Sequence, residues 1–86
     1  MRKTDRIRLR IHRKVPHHKA MAYLDVMDYL EYNDRAPNIL AIRQTLRYME
    51  ALGEAQYYNP KHESRGLWII LDKTEIQPVK IGVFDA

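Results

Sequence analysis

Apolar and charged residues alternate most regularly at the start of the chain. From Asp5 to Arg13 it reads D-R-I-R-L-R-I-H-R, with Ile7, Leu9 and Ile11 set between Arg6, Arg8, Arg10 and His12. A period of two is the mark of a strand with one buried face and one face carrying a row of cations. It predicts a basic arm or strand over residues 1–15. Two readings of that strand are open: an edge strand whose charges block aggregation, or a strand that also contacts phosphate.

Val15-Pro16 ends the run, and Pro16 suits a helix start, where its missing N–H would be unpaired anyway. Residues 17–32 carry Ala20, Tyr23, Leu24, Met27 and Leu30 at helical spacing, with Asp25, Asp28 and Glu31 turned elsewhere. Met21, Val26 and Tyr29 lie off that stripe, so this helix is expected to bury a second face, in a dimer contact or under the arm. Asn33 to Asn38 is a cluster of breaker residues. Asn38 is the expected N-cap of a second helix, Ile39 to Leu52, stopped by Gly53. Its buried stripe reads Ile39, Ile42, Leu46, Met49 and Leu52; its other side offers Asn38, Ala41, Arg43, Gln44, Arg47, Tyr48 and Glu50.

After Gly53 the pattern becomes that of strands. Glu54 to Tyr58 and Leu67 to Leu71 flank the polar stretch Asn59 to Gly66, which predicts a β-hairpin with a long charged tip. Val79 to Phe84, entered through Pro78, reads as a last strand. The expected fold class is α+β, in the order β-α-α-β-β-β, with no repeats. It is laid out as a basic arm 1–15, a helical part 16–53, a hairpin 54–73 and a C-terminal strand 78–84.

With 86 residues there is room for one small domain. Fifteen Lys and Arg against eleven Asp and Glu give a net charge of +4, but the charge is unevenly spread. Residues 1–19 hold eight basic side chains against Asp5 alone, a balance of +7; residues 20–86 hold seven basic and ten acidic ones, a balance of −3. Such asymmetry points to a polyanionic partner. There is no cysteine, hence no disulfide and no thiolate chemistry. No apolar run approaches the roughly 18 residues of a membrane span, and the charged N-terminus is unlike a signal peptide. These features lead to the expectation of a cytoplasmic or otherwise intracellular protein with no membrane partner.

Candidate chemistry is sparse. Ser64 is the sole serine, and only three glycines are present, with no phosphate-cradling loop among them. His17 and His18 with His12 invite a metal hypothesis. Adjacent histidines on a helix point about 100° apart, however, and no Cys or acidic ligand stands at a fixed spacing. Neither an enzyme nor a cofactor or metal is expected. The six tyrosines are expected mainly in the core and its rim; only Tyr57 and Tyr58 lie near cations on a strand, as base-stacking platforms do.

Residues Leu46 to Tyr57 (L-R-Y-M-E-A-L-G-E-A-Q-Y), then Pro60 to Gly66, then Leu67-Trp68-Ile69-Ile70 resemble the second half of a winged helix-turn-helix domain. In that family a recognition helix ends in a leucine-rich turn and a glycine. A strand follows, then a hairpin "wing" with a basic residue near its tip. The resemblance covers about 33 residues from Ile39 to Leu71, or about 55 if the preceding helix is the family's first. The family also has a separate helix of about two turns before the recognition helix. Here only Asn33 to Pro37 stand in that position, so this positioning helix is expected to be reduced to a turn, or helix 39–52 to be two helices with a bend.

The resemblance implies a small bacterial, archaeal or viral transcription regulator that binds double-stranded DNA, in all expectation as a homodimer, since two-fold operators match two-fold proteins. Arg43 and Gln44 would meet base edges in the major groove, where these residue types read guanine and adenine. Arg47 and the helix start near Asn38 would meet phosphates, as would Lys61, His62 and Arg65 on the wing. The arm, with Arg6, Arg8, Arg10, Arg13 and Lys14, would lie on the backbone. Against this stand a plain solvated helix face, a protein-binding adaptor on the same scaffold docking on a host assembly such as the transcription machinery, and RNA binding.

Overall fold

The computed structural model describes residues 2–33 and 35–71. The first element is a helix, α1 (Lys3–Lys14), and the expected basic strand is corrected accordingly. Positions 7, 9 and 11 alternate, but Ile7 and Ile11 are also an i, i+4 pair, and Val15 extends the series by four. All three are buried, with Ile7 at 2% and Ile11 at 0% exposure, while Leu9 is only partly covered. One helical stripe thus buries what one strand face was expected to bury. Each of these side chains contributes about 1.5–3 kcal/mol on burial, enough to decide between the two periods. Arginine is a good helix former. Asp5 in the first turn and His12, Arg13 and Lys14 in the last complement the helix dipole.

Val15, extended at ψ 133°, ends α1. Pro16 therefore follows a helix instead of opening one. The chain turns through His18, which adopts a left-handed conformation (φ 60°), into the two-residue strand β1 (Ala20–Met21). The helix expected over 17–32 is the shorter α2 (Tyr23–Leu30), closed by Glu31 in the left-handed region (φ 62°). Ala20 lies outside it and is exposed; Met21 and Val26 are buried while Tyr29 faces solvent.

Helix α3 (Ala36–Leu52) is one continuous helix with Pro37 in its first turn. Arg35, not Asn38, is its N-cap residue. Asn38 lies in the first turn, where its Nδ2 donates to Asn33 Oδ1 at 2.6 Å and to the Asn33 carbonyl at 3.1 Å, bracing the α2–α3 connection. A separate two-turn helix thus does precede the long one. Residues 17–32 hold the strand β1 and this short helix in place of the single longer helix expected there. Gly53 caps α3 at φ 80°, as its position predicted.

Strands β2 (Ala55–Tyr58) and β3 (Leu67–Ile70) form the expected antiparallel hairpin, and β1 pairs with the other edge of β3. The described residues form three helices and a three-stranded antiparallel sheet in the order β1-β3-β2. This α+β architecture runs helix, strand, helix, helix, strand, strand, and not strand-first. The core joins Ile7 and Ile11 of α1, Val26, Met27 and Leu30 of α2, and Ile42, Leu46 and Met49 of α3 to Trp68 and Ile70 of β3. The expected strand 78–84 lies outside the described residues. Among these, no helix is long and apolar enough to cross a membrane.

Candidate nucleic-acid interface

On α3, Ile42, Thr45, Leu46 and Met49 are buried, and the helical period turns Leu40, Arg43, Gln44, Arg47 and Glu50 outward. The β2–β3 hairpin rises beside this outer face. Between them lies an open groove of about 760 Å³, lined by Arg43, Gln44 and Arg47 of α3, Tyr23 of α2, and Tyr57, Arg65 and Trp68 of the hairpin. The fold thus brings three predicted cations, Arg43, Arg47 and Arg65, to one concavity.

Aromatic rings set the groove's inner surface. The Arg47 guanidinium lies 4.6 Å from the Tyr57 ring centre and 5.1 Å from that of Trp68, and its Nη1 donates to Glu50 Oε1 at 3.1 Å. Tyr57 and Trp68, paired across β2 and β3, hold their ring centres 4.8 Å apart. Gly66 allows this: a Cβ there would stand 2.5 Å from Tyr57 Cζ and Oη. Tyr23 stands between the other two cations, with Arg43 and Arg65 each 5.8 Å from its ring centre. Among the described residues neither Arg43 nor Arg65 has a carboxylate partner.

The hairpin tip is held from within. Asn59 Nδ2 donates to the Glu63 carbonyl at 2.9 Å and its Oδ1 accepts from the Glu63 amide at 3.0 Å. This closes a turn in which His62 takes a left-handed conformation (φ 52°). Lys61 and His62 are exposed on that turn, while Arg65 points back to the groove.

The basic arm divides in two once it is a helix. Arg6, Arg13 and Lys14 are exposed. Arg8 instead reaches Glu54, whose side chain is fully buried, through Nε (2.7 Å to Oε1) and Nη2 (2.5 Å to Oε2). This forked bond holds the guanidinium's pKa above its ordinary value despite partial burial. His12, one turn on, sets Nε2 2.7 Å from Glu54 Oε1, and burial pushes its pKa below the usual value of 6.5 in spite of that carboxylate. Arg10 points to the other flank, donating to the Leu30 carbonyl at 2.9 Å and to Tyr32 Oη at 3.2 Å. Arg8 and Arg10 therefore tie α1 to the body of the fold.

Lys3, which the sequence did not single out, borders a shallow hollow of about 240 Å³ shared with Leu40 and Gln44, bringing the start of α1 to the edge of the α3 face. The histidines cluster differently from the expectation. His17 stacks on His12, its Nε2 3.5 Å from His12 Nδ1, and among the described residues no group of three or more potential ligands could hold a metal. Sequence reasoning also missed Tyr23 and Trp68 as groove residues and Glu54 as the anchor of α1. A helical reading of Ile7, Ile11 and Val15 would have put Arg8 and His12 on one flank; nothing local marks Glu54 as buried. Compared with protein families, curated proteins and solved structures, the chain has no match.

Proposed function

We propose that this protein binds double-stranded DNA sequence-specifically, as a small transcription regulator of the winged helix-turn-helix kind. In this reading α3 enters the major groove, with Arg43 and Gln44 turned to base edges, and Arg47 meets a phosphate. Lys61, His62 and Arg65 of the hairpin lie along the adjacent backbone. Exposed Arg6, Arg13 and Lys14 of α1 add charge from the arm, while Arg8 and Arg10 are withdrawn from the list of contacts by their internal partners.

One observation carries the proposal. The exposed face of α3 and the basic hairpin flank a single groove in which Arg43 and Arg65 stand without carboxylate partners among the described residues. A solvated helix face has no reason to gather cations from a helix and a distant hairpin around one concavity. The element order lends support: the separate two-turn helix that the family has before its recognition helix has a counterpart in α2, eight residues long.

The protein is proposed to act as a homodimer, because one such module offers few base contacts and two-fold operators suit two-fold proteins. Selection from a pool of random duplex DNA tests both parts. The expected outcome is enrichment of one motif in two half-sites related by two-fold symmetry. A pool that stays unenriched after repeated rounds contradicts sequence-specific binding, and enrichment of an unpaired single site contradicts the dimer.

A further inference from the structure

The groove between α3 and the hairpin holds rings as well as cations, and an intact duplex phosphate backbone has no use for the rings. We propose that this groove is a binding site for unpaired nucleotides, in which a base stacks on Tyr23 while the flanking phosphates pair with Arg43 and Arg65. The inference does not depend on duplex binding by α3.

Three observations lead to it. First, Tyr23 is half-buried at the start of α2, and its ring is flanked by Arg43 from α3 and Arg65 from the hairpin, each 5.8 Å from its centre. Neither guanidinium has a carboxylate partner among the described residues. Second, the opposite wall is prearranged. Tyr57 is fixed by the missing Cβ of Gly66, by Trp68 beneath it and by a 3.2 Å hydrogen bond to its Oη from Asn59 Nδ2. Arg47 lies over both rings and is anchored by Glu50. A planar guanidinium layered on rings is itself a stacking surface for a base. Third, the volume of about 760 Å³ falls in the range of roughly 300–1,000 Å³ typical of ligand clefts. Alternating rings and cations in one groove are what binders of single strands use, because every base has a π-face and every nucleotide a phosphate.

Trp68 is the sole tryptophan, and it lies in the wall of the groove, so its fluorescence reports occupancy directly. The test titrates the full chain with oligothymidylate, with oligouridylate and with an abasic strand of the same length and charge. Stacking predicts that the base-bearing strands quench Trp68 and bind about tenfold more tightly than the abasic strand. The thymidylate and uridylate arms decide between DNA and RNA as the source of the unpaired strand. Tyr23→Leu should erase the advantage over the abasic strand without changing the salt slope, and Tyr23→Phe should keep it. Equal binding of base-bearing and abasic strands overturns the proposal, as does equal affinity for a polyglutamate peptide. Because the abasic comparison uses the unmodified protein, the outcome stands even if Tyr23→Leu fails to fold. Random duplex DNA as a further arm keeps this result distinct from that of the duplex reading.

Discussion

Glu54 shows how the meaning of a residue changes with its surroundings. It follows the Gly53 cap, where a solvated carboxylate would be unremarkable, yet its side chain is fully buried. Arg8 and His12, one turn apart on α1, both bond it. Removing one partner of a buried ion pair leaves the other charge stranded, at a cost of about 3–5 kcal/mol. Arg8→Ala and Glu54→Gln are therefore each expected to lower the thermal midpoint by more than about 10 °C for a domain of this size, as read by circular dichroism. Losses much smaller than that would mean that the pair is not what holds α1 to the body. His12 adds a pH dependence. Its folded pKa lies below 6.5, first because of burial, so folding keeps the ring neutral while the unfolded chain takes up a proton. Its contribution to stability is complete above pH 6.5 and is lost as pH falls from there through the lowered native value. Urea midpoints should consequently fall between about pH 7.5 and about pH 5, and fall less in His12→Gln.

At the scale of elements, the chain announces most plainly those whose pattern has a single solution. Helix α3 was legible from its stripe and its glycine stop, and the hairpin from two strand-like runs around a polar tip; both stand within a few residues of expectation. The arm was misread because residues 7, 9 and 11 fit a period of two while residues 7, 11 and 15 fit a helix, and only packing against α2 and α3 separates them. Strand β1 was invisible for another reason: two residues carry no period, and the strand exists only through its pairing with β3. The exposure of the candidate residues Arg43, Gln44 and Arg47 on α3 and of Lys61, His62 and Arg65 on the hairpin followed from charge and face alone. The partition of the arm needed the fold: Arg8 lies on the flank that meets Glu54, whereas Arg10 shares a flank with Arg6 and Arg13 and is set apart only by the Leu30 carbonyl and Tyr32 hydroxyl that the end of α2 brings to it. A prediction follows for these two elements: Arg43→Ala and Gln44→Ala should flatten preference among duplex sequences, whereas Arg6→Ala and Arg13→Ala should weaken all sequences about equally, in competition binding assays. Equal loss of preference from both pairs would mean that α3 is not the reading element.

For the molecule as a whole, the net charge of +4 understates how the charge is distributed. Part of the arm's +7 is used inside the fold, by Arg8 on Glu54 and Arg10 on the end of α2. Exposed among the described residues are Arg2, Lys3, Arg6, Arg13 and Lys14 at α1, Lys19 before β1, Arg35, Arg43 and Arg47 at α3, and Lys61 and Arg65 on the hairpin. The acidic residues Asp25, Asp28 and Glu31 are exposed on and just after α2. A duplex engaged by these cations would release its condensed counterions, so proposed duplex binding should weaken steeply as salt rises, which a titration on random duplex DNA measures. Neutralising five or six phosphates at roughly 0.9 per contact predicts a log–log slope between about −4 and −6. No measurable duplex binding at about 50 mM salt, or binding with a slope near zero, would mean that these cations do not engage duplex DNA.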